Sequence, residues 1–252
     1  MARNGAMAGM VRRAASLVFG ILGTIVLLIA PALGGDRAQL DLIGYSEDGS
    51  YFAFEEFGVQ DGSGFAYSSI YIVDLVDDSW VVGTPIRVLA EDEAVPLPEI
   101  RAEAAAKAAN YITTLGIAVP AELVAMVGDG VPDSDGQRLT FGMPGQDAGA
   151  VIGSHSLELT RFDTSSATPC QQWFSSPPRG YQLTIADDAG KRVVNRDTSL
   201  PRSRGCPVDY RLYGVALPFA ADPLGAAVAI ISVYSFGFEG PDRRFIVVPL
   251  GF

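Results

Sequence analysis

The 252-residue chain contains one histidine, His155, and two cysteines, Cys170 and Cys206. These scarcities close several routes. A Ser, His and Asp triad could use only His155, and because triads assemble in space its flanking Ser154 and Ser156 gain nothing from adjacency. His155 is read as an ordinary polar residue beside a strand. Zinc takes more ligands than two cysteines and one histidine supply, and a redox pair takes a C-x-x-C spacing that Cys170 and Cys206 lack. No nucleophile elbow occurs, since Gly44, Tyr45, Ser46, Glu47 breaks off at Asp48, and no phosphate-cradling glycine motif is present. Positive charge is short too: 18 Lys plus Arg stand against 29 Asp plus Glu, a net charge of −11. Such a surface repels phosphate backbones and anionic headgroups, which argues against nucleic acid as a partner. With 48% hydrophobic and 10% aromatic residues, the chain is not a disordered tail, whose mark is low hydrophobicity with high charge.

What is present begins with a leader. Arg3, Arg12 and Arg13 precede an apolar run from Ala14 to Leu33, closed by Pro31, Ala32, Leu33, Gly34 and Gly35. A basic end, an apolar stretch and a small-residue junction are the layout of a secretory signal peptide, with cleavage after Gly34 or one residue later. The competing reading is an uncleaved inner-membrane anchor, since about 20 apolar residues span a bilayer. Ala14, Ala15 and Ser16 after the paired arginines favour the general secretion route over the twin-arginine one, and no cysteine near the junction offers a lipid attachment point. The expectation is therefore a signal peptide over 1–34 and one β-rich domain over 35–252, periplasmic or secreted and off the membrane once the leader is removed. An even cysteine count in an oxidising compartment predicts a Cys170–Cys206 disulfide.

The fold class expected is mainly β, an antiparallel domain with one covering helix. From Leu40 to Leu75 the sequence turns at Glu47, Asp48 and Gly49, runs through the aromatic strand Tyr51 to Phe54, and after a glycine-rich loop at Asp61 to Gly64 forms the strand Ile70 to Leu75. Ala227 to Tyr234 and Phe245 to Leu250, joined through Gly237 to Asp242, echo that hairpin, either as an internal repeat or as an unrelated hairpin. Gly214 to Tyr234 is apolar enough to suggest a membrane span, but Pro218, Asp222 and Pro223 divide it into two strands. Leu97, Ile100, Ala104, Ala108, Tyr111 and Leu115 recur at helical spacing, with Pro98 and Glu99 in the first turn and Gly116 as the stop. Ala118 to Ala150 reads as long loops with a short helix near Pro120 to Met126. Strands resume at Ser156 to Phe162, Tyr181 to Ile185, Arg192 to Val194 and Tyr210 to Leu217.

Site chemistry is sparse. Asp129, Asp133, Asp135 and Gly136 look like the front of a calcium loop, but the register puts Val131 at its first position and Gly142 at its twelfth, so no metal or other cofactor is expected. Glu55 and Glu239, each at a strand end facing a glycine-rich loop, are the pair a glycosidase acid and base would require. The leading reading is a binding module without catalysis, the alternative a cell-envelope carbohydrate hydrolase. If the two hairpins pack together, Glu56, Phe57, Phe65, Phe238 and Glu239 form an aromatic and acidic patch, suited to an envelope protein, a peptide or a sugar.

Two resemblances accompany these readings. The S-x-D-G turn at Ser46, the Y-F-A-F strand at Tyr51 and the I-Y-I-V-D-L strand at Ile70 resemble one blade of the Tol-type and WD-repeat propellers. The middle of the chain lacks the repeat of about 40 residues that a propeller requires. More widely, the leader, D-R-A at Asp36, the run Gly44 to Gly64, S-R-G-C-P at Ser203 and F-E-G-P-D-R-R-F at Phe238 resemble a proteobacterial family of predicted secreted proteins with a domain of unknown function. That resemblance implies export and a single domain, and brings no catalytic or binding residue. The exported protein should begin at Gly35 or Asp36; intact-mass measurement finding residues 1–33 retained in a membrane fraction would defeat the leader reading.

Overall fold

The computed structural model describes residues 34–221 and 224–252, so the expected signal peptide lies outside the described residues except for its last position, Gly34. The strands are β1 (Gln39–Ser46), β2 (Tyr51–Val59), β3 (Ala66–Asp74), β4 (Ser79–Trp80), β5 (Ile86–Leu89), β6 (Ile117–Val119), β7 (Ala121–Met126), β8 (Arg138–Pro144), β9 (Val151–Asp163), β10 (Arg179–Asp187), β11 (Gly190–Arg196), β12 (Pro207–Pro218), β13 (Val228–Ser235) and β14 (Asp242–Pro249). Two α-helices join them, α1 (Leu97–Thr114) and the short α2 (Cys170–Phe174). The strands form three antiparallel sheets. Sheet A has the order β4-β3-β2-β1-β6, with β5 also on β3; sheet B is β11-β10-β9-β8; sheet C is β14-β13-β12-β7.

Sheet C is the middle layer. Along β13, Ala229, Ile231 and Val233 join Leu157, Leu159, Leu183 and Ile185 of sheet B in one core, whereas Val228 and Ile230 join Tyr45, Phe52, Phe54 and Tyr71 of sheet A in another. Successive strand residues point to opposite faces, so a strand covered on both sides must be apolar at every position. That is why Val228 to Val233 reads like a membrane segment. Among the described residues no helix is long and apolar enough to cross a membrane.

The outer face of sheet A is covered by α1, giving four layers in all. Pro96 is extended at the N-cap, a proline stands in the first turn with Glu99, and Gly116 follows the last turn at φ +62°. Ile100, Ala104 and Ala108, one turn apart, bury against Ala66, Ile70 and Val88. Ion pairing fixes the helix in place. Arg101 donates from Nε and Nη2 to Glu55 on β2, with the shortest distance 2.7 Å, and its guanidinium lies 3.8 Å over the Phe57 ring.

The mainly β class, the strands and the covering helix are as the sequence reads, with three corrections. Ala121–Met126 is not helical but the edge strand β7, paired to β12. Its Ala, Glu, Leu and Met favour a helix locally, but pairing with a buried sheet edge satisfies its backbone and outweighs propensities worth a few tenths of a kcal/mol per residue. The stretch read as loops from Ala118 to Ala150 also holds most of β6 and all of β8. The blade-like segment β1–β3 belongs to a stacked sheet, with β6 added at its edge. A bulge there at Leu42/Gly44 depends on glycine, since Gly44 has φ +146° and a Cβ would meet the Val119 carbonyl oxygen at 2.4 Å.

The disulfide joins α2 to the start of β12, with Cα atoms 5.5 Å apart. Its 36-residue separation corresponds to about 4 kcal/mol in the chain-entropy account. Replacing both cysteines by serine should lower the unfolding free energy in urea by about 2–4 kcal/mol; a change well under 1 kcal/mol would show that the bridge constrains little.

Candidate functional site

Sheet C ends at β14, and its open edge forms the floor of a groove. Ser232 pairs with Phe245 and Ile230 with Val247 without a register shift. The amide of Phe245 donates to Glu56 Oε2 at 3.0 Å, and Leu250 N–H bonds to Ala227 C=O. Antiparallel pairs alternate between bonded and non-bonded. Hence Arg243, Phe245 and Val247 turn their backbone groups outward, while Arg244, Ile246 and Val248 bond to β13.

Glu56 reaches this edge by alternation. It lies on the same face of β2 as Phe52 and Phe54, toward sheet C, and is buried. Besides the Phe245 amide it accepts the Tyr71 hydroxyl at 2.8 Å, with Arg244 Nε at 3.9 Å. Burial, the largest influence, raises its carboxyl above the ordinary value of 4.5 despite the amide, Arg244 and Tyr71, which act the other way. Burial likewise raises Tyr67 and Tyr71, keeping both as hydroxyl donors. Tyr67 donates to Asp36 at 3.0 Å, and Arg244 spans Asp36 and the Tyr67 ring.

Sheet A supplies one wall, with Tyr71 edge-on to Trp80 at 5.3 Å and Leu89 half exposed. The opposite wall is Pro201–Gly205, next to the disulfide, where Arg204 sits over Tyr181 and 3.7 Å from Asp197. The groove has a volume of about 690 Å³.

The five patch residues do not form one surface. Glu56 lines the groove; Phe57 lies on the opposite face under Arg101, and Phe65 packs on the α1 side of sheet A. The two loops do meet, because Glu239 N–H donates to Asp61 Oδ2 at 3.1 Å and the Phe238 ring, 83% exposed, covers Gly62. Glu55 is held by Arg101 and by the Ser68 hydroxyl on the helix side, whereas Glu239 is on the exposed loop. His155 Nδ1 lies 3.5 Å from Asp187, beside Phe252 and away from the groove lining.

Asp129 accepts Tyr234 at 2.5 Å and Arg243 at 2.6 Å, while Asp133 and Asp135 are exposed. Burial would raise the Asp129 carboxyl, but these two partners hold it below its ordinary value. Among the described residues no cluster of His, Cys, Asp and Glu has the spacing to hold a metal ion. Trp80, Arg87, Leu89, Arg204 and Arg244 were not singled out individually from the sequence. The segments Gly44–Gly64, Ser203–Pro207 and Phe238–Phe245, noted there for their resemblance, each contribute to the groove through Glu56, Arg204 and Arg244.

A raised folded-state carboxyl stabilises the fold below its unfolded value and loses that contribution as pH rises through the folded one. Glu56→Gln should therefore lose least stability, relative to the parent, on the alkaline side of 4.5. Paired melting curves across pH check this, and a difference that instead widens as pH rises would reverse the assignment.

Residues 53–250 match the family described as Predicted secreted protein (DUF2259). No curated protein and no solved structure matches the chain. With most of its sequence covered by that match, the chain belongs to this family of predicted secreted proteins of unknown function.

Proposed function

We propose that the protein works in the periplasm as a binding module without catalysis, and that its ligand seats in the groove beside β14. The observation that carries this reading is a cavity of about 690 Å³ whose wall groups are already fixed by the protein itself. Glu56 is held by the Phe245 amide and Tyr71, Tyr67 by Asp36, and Arg204 by Asp197. Ligand sites are concave, mostly preformed and about 300–1,000 Å³ in volume, with a few placed polar groups among aromatic and apolar ones. Tyr71, Trp80, Leu89 and Val248 supply the apolar share. Walls that need no rearrangement reduce the ordering cost of binding.

Exposed Phe238 and Glu239 are a second surface on the same protein, so the test must separate the two. A photo-crosslinking amino acid placed at Leu89, at Phe238 or at Val193 on sheet B, all exposed, should give a discrete adduct in intact cells from Leu89 only. Adducts from Phe238 alone would move the site to the loops, and equal labelling at all three positions would mean no specific site.

A further inference from the structure

The groove occupies the position of a missing strand. Sheets A and B both extend past β14, through β3, β4 and β5 on one side and Tyr181 and Asn195 on the other, while sheet C between them stops. We propose that the groove takes an extended, acidic segment of a partner polypeptide, which pairs with β14 as a fifth strand of sheet C. This rests on the binding reading above and specifies its ligand.

Three observations carry it. The first is the backbone itself. Arg243 N–H bonds to Asp36 C=O at 2.7 Å and Ala38 N–H to Arg243 C=O at 3.3 Å, so residues 36–38 already lie as a short parallel strand on this edge before the chain departs into β1. Beyond them Glu56 caps the Phe245 amide. The Phe245 carbonyl and both backbone groups of Val247 then face the groove with no hydrogen-bond partner among the described residues. Outward N–H and C=O groups at strand spacing are what an added strand uses, and they favour a polypeptide over a sugar. Pro249 ends the row, since it has no N–H to offer.

Size is the second. A strand residue between packed sheets takes about 160 Å³, from roughly 3.3 Å of rise, 4.8 Å between strands and 10 Å between layers. The cavity of about 690 Å³ thus holds about four residues at that density, which matches the short open stretch between Phe245 and Pro249.

Charge is the third. Arg87, Arg202, Arg204 and Arg244 line the groove against Glu56 and Asp78, in a protein of net charge −11. Arg204 and Arg244 are paired with Asp197 and Asp36, but Arg87 and Arg202 are exposed at the rim with no salt bridge among the described residues. Arg87 faces Tyr71 and Glu56 inside the groove, while Arg202 has no acidic partner among the described residues; a rim of this charge on an otherwise acidic molecule selects carboxylates flanking the paired residues.

The test pans a library of displayed random heptapeptides on the purified protein, then resynthesises the enriched peptides. The expected binders are free of proline and combine β-branched or aromatic residues with Asp or Glu. Binding should slow hydrogen exchange at the Val247 amide by about tenfold or more, as new strand pairing does. Val247→Pro removes an outward N–H, a change edge strands accept, and alters a half-buried side chain packed toward sheet A. It should weaken these peptides by about tenfold or more, the scale of a lost hydrogen bond, relative to Val247→Ala, which loses similar packing but keeps the N–H. If that variant fails to fold, Leu89→Glu, on an exposed rim position, serves instead and should repel the acidic peptides.

Peptides that bind and are lost on Leu89→Glu but leave Val247 exchange unchanged would overturn strand addition while preserving the groove as a binding site. A library that yields no binder, or basic binders, overturns the proposal. Protection of Val247 in the protein alone, rising with concentration alongside dimer formation, would assign the slot to a second copy and overturn it as well.

Discussion

Burial of sheet C on both faces is the constraint from which the rest of the architecture follows. A sheet apolar on two faces is stable only between two covers, and sheets A and B provide them. Sheet A then has an outer face of its own, carrying Ala66, Ile70 and Val88, which requires α1. Each added layer covers apolar surface left by the previous one, and the series stops at sheet B, whose outer strand β11 is exposed over much of its length. The same stacking produces the groove, because the middle layer stops at β14 while the covers continue past it, leaving a slot at that edge.

Polar chemistry is placed where layers meet, and it serves as attachment. Glu55 with Arg101 fixes the helix to sheet A; Glu56 with the Phe245 amide and Tyr71 fixes sheet A to sheet C; Asp129 with Arg243 and Tyr234 fixes the loop after β7 to β14. Buried carboxylates are costly unless hydrogen-bonded, and each of these accepts at least two donors. Adjacent residues on one strand thereby hold two different layers, a direct result of strand alternation.

Much of the fold was legible in sequence because it is written in local periodicity. Helical spacing from Leu97 to Leu115 gave α1 within a residue of its observed end, and the apolar runs gave β2, β3, β13 and β14. β7 was not legible, since Ala121 to Met126 favours a helix until β12 is beside it, and that partner lies some 90 positions away. Period two did contain the correction to the patch. Phe52, Phe54 and Glu56 share one face, and Ala53, Glu55 and Phe57 the other, so Glu56 and Phe57 could not sit side by side. The groove had no local signature at all: its floor, its aromatic wall and its arginine wall come from β14, β3–β5 and residues 201–205, and meet only through the layer order.

Asp36 is bound to the Asp242 carboxylate, the Arg243 amide and the Arg244 guanidinium, with sequence separations of 206 to 208 residues. Gly35 is fitted so closely against Pro241 that a Cβ would meet its carbonyl oxygen at 2.3 Å. This cluster therefore cannot form on the ribosome until nearly the whole chain has been synthesised, whatever the order in which the other strands assemble. Contacts of such separation bear a loop-closure cost before they give any stability, which slows completion of the fold. The residues that open the described fold therefore have no docking site until its last strand has been made.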